Sequence, residues 1–392
     1  MGRMKSTIVT AELLDRVRNR LAQDATEPSF ASVAAAIRAE AGGVLGDTDL
    51  LRALRLLQTE LTGAGPLETL LADPAVSDVL VNAPDQVWVD AGAGLERAAV
   101  TFTDEAAVRR LAQRLALTAG RRLDDAQPWV DGQLANAGNG IGVRLHAVLA
   151  PVAHGGTCLS LRVLRPATLG LDQLIAAGSI NAEAAELVRR IVQCRLAFLV
   201  TGGTGAGKTT VLGALLAEVD PAERIVCVED APELAPTHQH VVRLVARGAN
   251  VERVGEITLR DLVRQALRMR PDRIVVGEVR GPEVVDMLTA LNTGHDGGAG
   301  TVHANSPGEV PARLEALAAL GGMDRAALHS QLAAAVQVIL HVVRRRDGTR
   351  QLTQIGVLQR KKDGTVVVVS AWRADGGECC GTARLKQLLE AR

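Results

Sequence analysis

Apolar residues follow two alternating patterns between about residue 180 and residue 345. Short continuous apolar runs, which are typical of buried strands, occur at 197–201, 225–229, 273–277 and 300–303. Between these runs, apolar residues recur every three or four positions, which predicts helices at 208–219, 258–269, 282–292 and 311–319. Continuous apolar strands that alternate with amphipathic helices predict a parallel sheet with helices on both faces.

The flanking parts of the chain are patterned differently. Short strand-like runs at 76–82, 87–90, 143–149 and 158–164 are separated by Pro and Gly, and the spacing predicts a helix at 104–118. Residues 63–166 are therefore predicted to form a compact α+β domain, and residues 1–62 a small helical appendage. Residues 166–170 are a predicted linker. The predicted α/β domain spans 167–392 and ends in two strands from residue 352 and a helix at 383–391.

Composition restricts the functions that such a chain can serve. Hydrophobic residues make up 47% of the 392 residues, but aromatic residues make up only 2% and Tyr is absent. The formal net charge is zero. Without a basic surface or aromatic stacking platforms, direct binding of nucleic acid is not expected. No apolar run reaches about 18 residues, so no transmembrane segment is expected.

The cysteines and the N-terminus bear on location. The five cysteines show none of the spacings that are typical of zinc ligands. The N-terminus lacks the apolar segment of a secretory signal. We therefore expect a reducing, cytoplasmic environment.

The segment after the first apolar run carries the strongest chemical signal. Residues 202–209 match the phosphate-binding pattern G-x-x-x-x-G-K-[ST] between a predicted strand and a predicted helix. Lys208 is the only lysine between Lys5 and Lys361, which indicates a chemical requirement. We expect the loop and Lys208 to bind the phosphates of ATP, and the Thr209 hydroxyl to bind Mg²⁺. The predicted nucleotide-binding residues are Gly202, Gly203, Thr204, Gly205, Ala206, Gly207, Lys208, Thr209 and Thr210.

Acidic residues end two of the later apolar runs. Glu278 is a candidate for the base that activates the attacking water, and a cap on the next helix is the alternative. Glu229, Asp230 and Glu233 form a second acidic group, in which the carboxylates repel each other unless a cation offsets them. We expect Glu229 and Glu233 to contribute to the Mg²⁺ site, with a solvated loop as the alternative. Either Glu229 or Glu278 could supply the base.

A histidine ends the fourth apolar run. His303 could donate a hydrogen bond to the γ-phosphate or relay domain closure, and a structural histidine is the alternative. A metal pair with His295 is possible on composition, but the spacing matches no common ligand motif.

Three arginines at helical spacing form a basic stripe on the helix predicted at 258–269. They are Arg260, Arg264 and Arg268. A solvated helix face is the usual explanation for such a stripe, and a contact with a subunit or an anion is the alternative.

Taken in order, these motifs resemble those of the type II and type IV secretion ATPases. The likeness is greatest to the tight-adherence (Flp) pilus assembly and conjugal-transfer-associated branch, and it covers about residues 55–358. Residues 65–82 resemble the opening of the family's N-terminal domain. The other matching segments are 224–234 (aspartate box), 270–281 (Walker B region), 294–306 (histidine box) and 346–348.

This resemblance implies a RecA-like domain and a smaller N-terminal sensor domain, with nucleotide held between them in a hexameric ring. It implies that hydrolysis drives domain closure and opening, which powers pilus assembly or protein secretion through an inner-membrane platform protein. The chain would then be peripheral at the cytoplasmic face of the membrane. It also implies a catalytic role for Arg280 and phosphate contacts for Arg144 and Arg162. The family's Asp-x-Arg-Leu stretch lacks its arginine here, at residues 131–134.

Three other functions are compatible with a phosphate-binding loop. The first is a nucleic-acid motor, either a DNA-transfer ATPase or a RecA-like helicase, which the neutral charge and scarce aromatics disfavour. The second is a nucleotide-gated scaffold that does not turn over. A small-molecule kinase fits least well, because the sequence shows no acceptor pocket or lid.

Overall fold

The computed structural model describes residues 30–41, 63–92, 94–134, 142–250, 252, 254–377 and 379–391, and the single positions 13, 16, 17, 20, 46, 50, 53 and 54. The chain divides into two compact units, Met1–Val163 and Leu164–Arg392. The division into 1–62, 63–166 and 167–392 stays a prediction. Within the described ranges, no helix is long and apolar enough to cross a membrane.

The first unit contains a six-stranded sheet in the order β3-β2-β1-β6-β5-β4. Its described elements are α1 (Phe30–Glu40), a 3₁₀ turn (Gly65–Leu67), α2 (Glu68–Ala72), β1 (Asp78–Ala83), β2 (Gln86–Asp90), β3 (Leu95–Arg97), α3 (Glu105–Thr118), β4 (Trp129–Leu134), β5 (Gly142–Val148) and β6 (Cys158–Leu164). The last residue of β6 is the first of the second unit. Most of the predicted helical region 1–62 and the loop 135–141 lie outside the described residues.

Alternation of buried and exposed residues sets the two faces of this sheet. Val143, Leu145 and Ala147 of β5 point into the core that α3 also lines. Arg144 lies between them on the opposite face. Helix α3 begins where the sequence predicts, because the carboxylate of Asp104 accepts a hydrogen bond from the Ala107 N–H at 2.7 Å.

The second unit contains an eight-stranded sheet in the order β14-β13-β12-β7-β11-β10-β8-β9. Its elements are α4 (Leu171–Ala176), α5 (Ala182–Gln193), β7 (Phe198–Gly202), α6 (Lys208–Leu216), β8 (Ile225–Glu229), β9 (Val241–Val245), α7 (Leu259–Ala266), β10 (Arg273–Val279), α8 (Glu283–Leu291), β11 (Ala299–His303), a 3₁₀ turn (Pro307–Glu309), α9 (Val310–Leu320), α10 (Arg325–Ala335), β12 (Val338–Arg344), β13 (Arg350–Arg360), β14 (Val366–Arg373) and α11 (Thr382–Glu390).

The predicted parallel sheet with helices on both faces is confirmed. The six strands β12, β7, β11, β10, β8 and β9 are parallel to one another, and β13 and β14 extend the sheet as an antiparallel edge next to β12. One face packs against α4, α5, α6 and α11, and the other against α7, α8, α9 and α10. The chain is therefore a mixed α/β protein.

Polar contacts show how the basic stripe on α7 and the predicted linker 166–170 are held. Arg260 and Arg264 both donate to the carboxylate of Asp286 on α8, at 2.6 and 2.9 Å, so two of the three stripe arginines pair within the unit. In the predicted linker 166–170, the N–H of Ala167 donates to the carbonyl of Glu233 at 2.8 Å. This contact holds the segment on the second unit, beside the predicted acidic group.

Candidate phosphate-binding site

The predicted loop connects the end of β7 to the start of α6. Strand β7 ends at Gly202, and α6 begins at Lys208 with Gly207 as its N-cap. Gly207 has a φ of 89°, a left-handed conformation that glycine adopts without strain. A Cβ at Gly202 would lie 2.2 Å from the carbonyl oxygen of Val342, so only glycine fits against β12 there. The first N–H groups of α6 therefore face the loop, an arrangement that binds anions.

Lys208 lies over the loop from the first position of α6. Its Nζ donates to the carbonyl oxygens of Gly202 and Gly203, at 3.2 and 3.0 Å. Burial lowers the pKa of the Lys208 ammonium, and the charges of Glu278 and Glu233 oppose this shift. The lysine is thus within the electrostatic reach of two predicted acids. Thr209 and Thr210 follow it in the first turn of α6, and both are half-buried.

The carboxyl ends of four neighbouring strands bring most of the predicted site residues to one edge of the sheet. In the sheet, β11 lies beside β7, and His303 at its end pairs with Gly202. Glu278 lies near the end of β10, and Glu229 ends β8. Because parallel strands end at the same edge, the loop, the histidine and both acids meet there.

Glu229 is buried between two strands. It is only 2% exposed, and a Cβ on Gly277 of β10 would lie 2.9 Å from its Cγ. Its Oε1 accepts the N–H groups of Glu233 and Leu234, at 3.1 and 2.8 Å. Its Oε2 accepts no hydrogen bond from the part of the chain that the structure describes. Burial raises the pKa of Glu229 to about 7, although the two N–H groups oppose the shift.

The ordinary pKa of a glutamate is 4.5. Because the pKa of folded Glu229 is raised, the free energy of unfolding is predicted to fall as pH rises from 4.5 to about 7. Folded Glu229 keeps its proton in this range, whereas unfolded Glu229 loses it, so deprotonation favours the unfolded chain. The full effect is about 3 kcal/mol. We expect Glu229→Gln to remove this fall and to unfold with a flatter pH profile.

Urea titrations at pH 5 and pH 8 measure this difference. Of the three tryptophans in the sequence, only Trp372 belongs to the second unit. In a Trp88→Phe, Trp129→Phe background, tryptophan fluorescence therefore reports on the unfolding of this unit. Glu256→Gln is the matched control, because Glu256 is exposed. Equal pH dependence in the Glu229→Gln and parent chains would contradict the burial argument.

The carboxylates of Glu283 and Asp230 hold the segment after Glu278. The carboxylate of Glu283 accepts the N–H groups of Arg280 and Gly281, both at 2.7 Å. Glu283, rather than Glu278, accepts the N–H groups of the turn before α8. Arg280 forms an ion pair with Asp230, which links the ends of β10 and β8.

Two features of this site were missed in the sequence. The Nε of Arg350 donates to the carbonyl of Gly205 at 2.9 Å, so the start of β13 supports the loop. A cavity of about 310 Å³ lies beside the loop, with Gly207 and Thr210 on one side and Leu174 and Leu352 among its apolar walls. The Asp-Gly turn before Arg350 signals the hairpin, but no local pattern signals its contact with the loop.

The other predicted residues belong to other parts of the chain. Arg144 and Arg162 are in the first unit, where their guanidinium groups lie 3.9 Å from Asp131 and 2.9 Å from Asp78. The Nδ1 of His295 lies 3.1 Å from the carbonyl of Pro271. Across the described ranges, no three His, Cys, Asp or Glu side chains are placed to hold a metal by themselves.

Comparison with known proteins finds relatives that are named for secretion or conjugal transfer. The profile of the family described as Type II/IV secretion system protein matches residues 60–388. A protein of Mycobacterium tuberculosis that is provisionally named a conjugal transfer protein is 69% identical over 350 residues, which cover 89% of this chain and 99% of the relative. The type IV secretion system protein PtlH of Bordetella pertussis is 32% identical over 302 residues, which cover 71% of this chain and 87% of the relative.

Among solved structures, the VirB11 ATPase from the Brucella suis type IV secretion system, in complex with sulphate, is 27% identical. The match covers 74% of this chain and 94% of that chain, with a TM-score of 0.39. The family match extends over most of the chain, and the resemblance to type II and type IV secretion ATPases is confirmed. The chain belongs to the family of type II/IV secretion system proteins.

Proposed function

We propose that this chain hydrolyses ATP with Mg²⁺ and that the energy drives pilus assembly or protein secretion. The proposal rests on one observation: at one edge of the sheet, β7 leads into the glycine loop, and Glu278 and Glu229 lie at the ends of neighbouring strands. A loop followed by a helix N-terminus binds phosphate, and carboxylates on neighbouring strands supply the acid–base chemistry of hydrolysis.

The residues present fit a nucleotide and its metal ion. The backbone at Gly205 and Gly207 has positive φ, so N–H groups can turn inward around phosphate oxygens. The apolar cavity beside Gly207 fits a base or sugar. The buried Oε2 of Glu229, without a donor in the described chain, suits a water of the metal's shell. Bound Mg²⁺ would neutralise charge on the phosphate oxygens.

Residues of the chain would then have separate roles in hydrolysis. The ammonium of Lys208 would exchange its carbonyl contacts for the β- and γ-phosphates, and the Thr209 hydroxyl would face the metal. Glu278 would accept the proton of the attacking water, and Glu229 and Glu233 would hold the metal's water shell. His303, at the end of β11, would donate to the γ-phosphate. Arg280 would hold the acidic group in place through its ion pair with Asp230.

Larger-scale features belong to the same proposal. We infer that the second unit is RecA-like and that the chain assembles into a hexameric ring, in which domains close and open around the nucleotide. We also infer a cytoplasmic position at the membrane, beside an inner-membrane platform protein. The family match and the relatives named for type IV secretion and conjugal transfer support this proposal. The phosphate contacts of Arg144 and Arg162 stay a prediction.

Steady-state ATPase activity across a protein concentration series tests the proposal. We expect Mg²⁺-dependent turnover per chain that rises steeply with concentration, because assembly into a ring completes the site. Double-stranded and single-stranded DNA, each added at low and high salt, serve as the comparison. Stimulation by DNA that salt abolishes would favour a nucleic-acid motor. Tight ATP binding without turnover at any concentration would favour a nucleotide-gated scaffold.

A further inference from the structure

An arginine at the start of β13 lies where the phosphate loop meets the cavity beside it, and none of the roles proposed above uses it. The Nε of Arg350 donates to the carbonyl oxygen of Gly205 at 2.9 Å. Its stem packs against the end of the loop, because a Cβ at Gly207 would lie 3.0 Å from the Arg350 Cδ. Arg350 also lines the cavity of about 310 Å³, together with Thr210. It therefore contacts the loop and borders the cavity at the same time.

Most of the hydrogen-bonding capacity of this guanidinium group is unused. The contact with Gly205 takes only one of the five N–H groups that an arginine carries. Arg350 is exposed, and within the described ranges its side chain forms no other hydrogen bond and no ion pair. Because the guanidinium group is planar and its Nε is held on the loop carbonyl, both Nη atoms stay beside the loop. They are available to a ligand.

A second guanidinium group lies on the same side of the loop. Arg344 of β12 is the cross-strand partner of Arg350, so the two side chains share one face of the hairpin. A Cβ at Gly205 would lie 3.4 Å from the Nη1 of Arg344. The hairpin thus brings two positive charges to the loop, and their field favours an anion there.

The chemistry of a nucleotide identifies the group that would meet Arg350. The N–H groups of a phosphate loop surround the α- and β-phosphates, and the lysine of the loop reaches the β- and γ-phosphates. The base and sugar, which fit the cavity, are joined to the other phosphates only through the α-phosphate. A side chain that contacts the loop and borders the cavity therefore faces the α-phosphate.

We propose that Arg350 is a nucleotide-binding residue, and that an Nη group donates to a nonbridging oxygen of the α-phosphate. Arginine suits this position, because its fork donates to the Gly205 carbonyl and to a phosphate at the same time. This inference rests on the proposed binding and hydrolysis of ATP. It adds a contact that ATP and ADP share, so its loss affects nucleotide affinity rather than the chemical step.

Arg350→Gln tests the contact, because it removes the charge and the fork. In calorimetric titrations with Mg²⁺, we expect the affinities for ADP and for a non-hydrolysable ATP analogue to fall by the same factor. That factor should lie between about 10-fold and 100-fold, the usual loss for a hydrogen bond to a charged group. At saturating ATP, kcat should fall less than about threefold, because bound substrate and transition state keep the contact equally.

Arg360→Gln is the matched control. Arg360 is exposed at the other end of the same strand, β13, far from the loop. We expect this variant to keep the parent affinities for both nucleotides and the parent kcat.

Sulfur substitution separates a direct contact from mere support of the loop. In the two diastereomers of ATPαS, sulfur replaces one or the other nonbridging oxygen of the α-phosphate. Arg350→Gln should change the ratio of their dissociation constants by at least about threefold, because one oxygen loses a donor that the other does not have. A loop that had only lost its support would weaken both diastereomers equally and leave the ratio unchanged.

The outcomes distinguish this inference from the proposed function. An ADP affinity of Arg350→Gln within about threefold of the parent would overturn the α-phosphate contact and leave the proposed hydrolysis standing. An unchanged ratio of the diastereomers would also overturn the contact. A parent chain that binds ADP but does not turn over ATP would contradict the proposed function, and the binding measurements would still decide the contact.

Discussion

Replacing Lys208 by Ala is expected to reduce ATP hydrolysis by at least about a hundredfold, the usual effect of losing one preorganised donor to a transition-state charge. Lys208 holds its ammonium over the loop through the carbonyls of Gly202 and Gly203. That position allows it to move to the phosphates without a change in the helix. Burial of the lysine also strengthens its interaction with a bound anion.

The measurement is steady-state turnover with Mg²⁺, together with the affinity for a fluorescent ADP analogue. Lys386→Ala is the matched control, because Lys386 is 74% exposed on α11 and its ammonium lies 3.8 Å from the carboxylate of its helix neighbour Glu390. We expect the control to keep its turnover and its nucleotide affinity. Turnover of Lys208→Ala within about threefold of the parent would exclude the loop as the site of hydrolysis.

The phosphate loop could be predicted because its signals are local. Gly207 and Lys208 stand at fixed spacing after an apolar strand, and each has its role within about ten residues of chain. The meeting of Glu229 and Glu278 at one edge also followed from the sequence, because continuous apolar runs predict parallel strands and these end together.

The remaining features depend on contacts between distant parts of the chain. The place of β12 beside β7 sets what Gly202 packs against, and no local pattern gives strand order. The Glu229 side chain packs against Gly277, which is nearly fifty residues away in the sequence. Strand β9 was missed although four of its five residues are apolar. Helix α5 was missed although Asn181 caps it, a signal that was available.

Glu278→Gln is expected to lower kcat between about a hundredfold and ten-thousandfold, the range for loss of a general base. The charge of Glu278 opposes the lowering of the Lys208 pKa, so the carboxylate is within electrostatic reach of the lysine that we expect to bind the phosphates. Gln keeps the shape and the ability to accept a hydrogen bond. The affinity for the ADP analogue should therefore stay within a few-fold of the parent.

The choice between Glu278 and Glu229 as the base is decided by the pH dependence of kcat. The pKa of Glu229 is raised to about 7, so a base at this position would make kcat rise about tenfold per pH unit below 7 and level off above it. Glu229→Gln would then abolish turnover at every pH. If Glu278 is the base, as we expect, Glu278→Gln loses far more turnover than Glu229→Gln does. The reverse result would assign the base to Glu229 and leave Glu278 a role in binding.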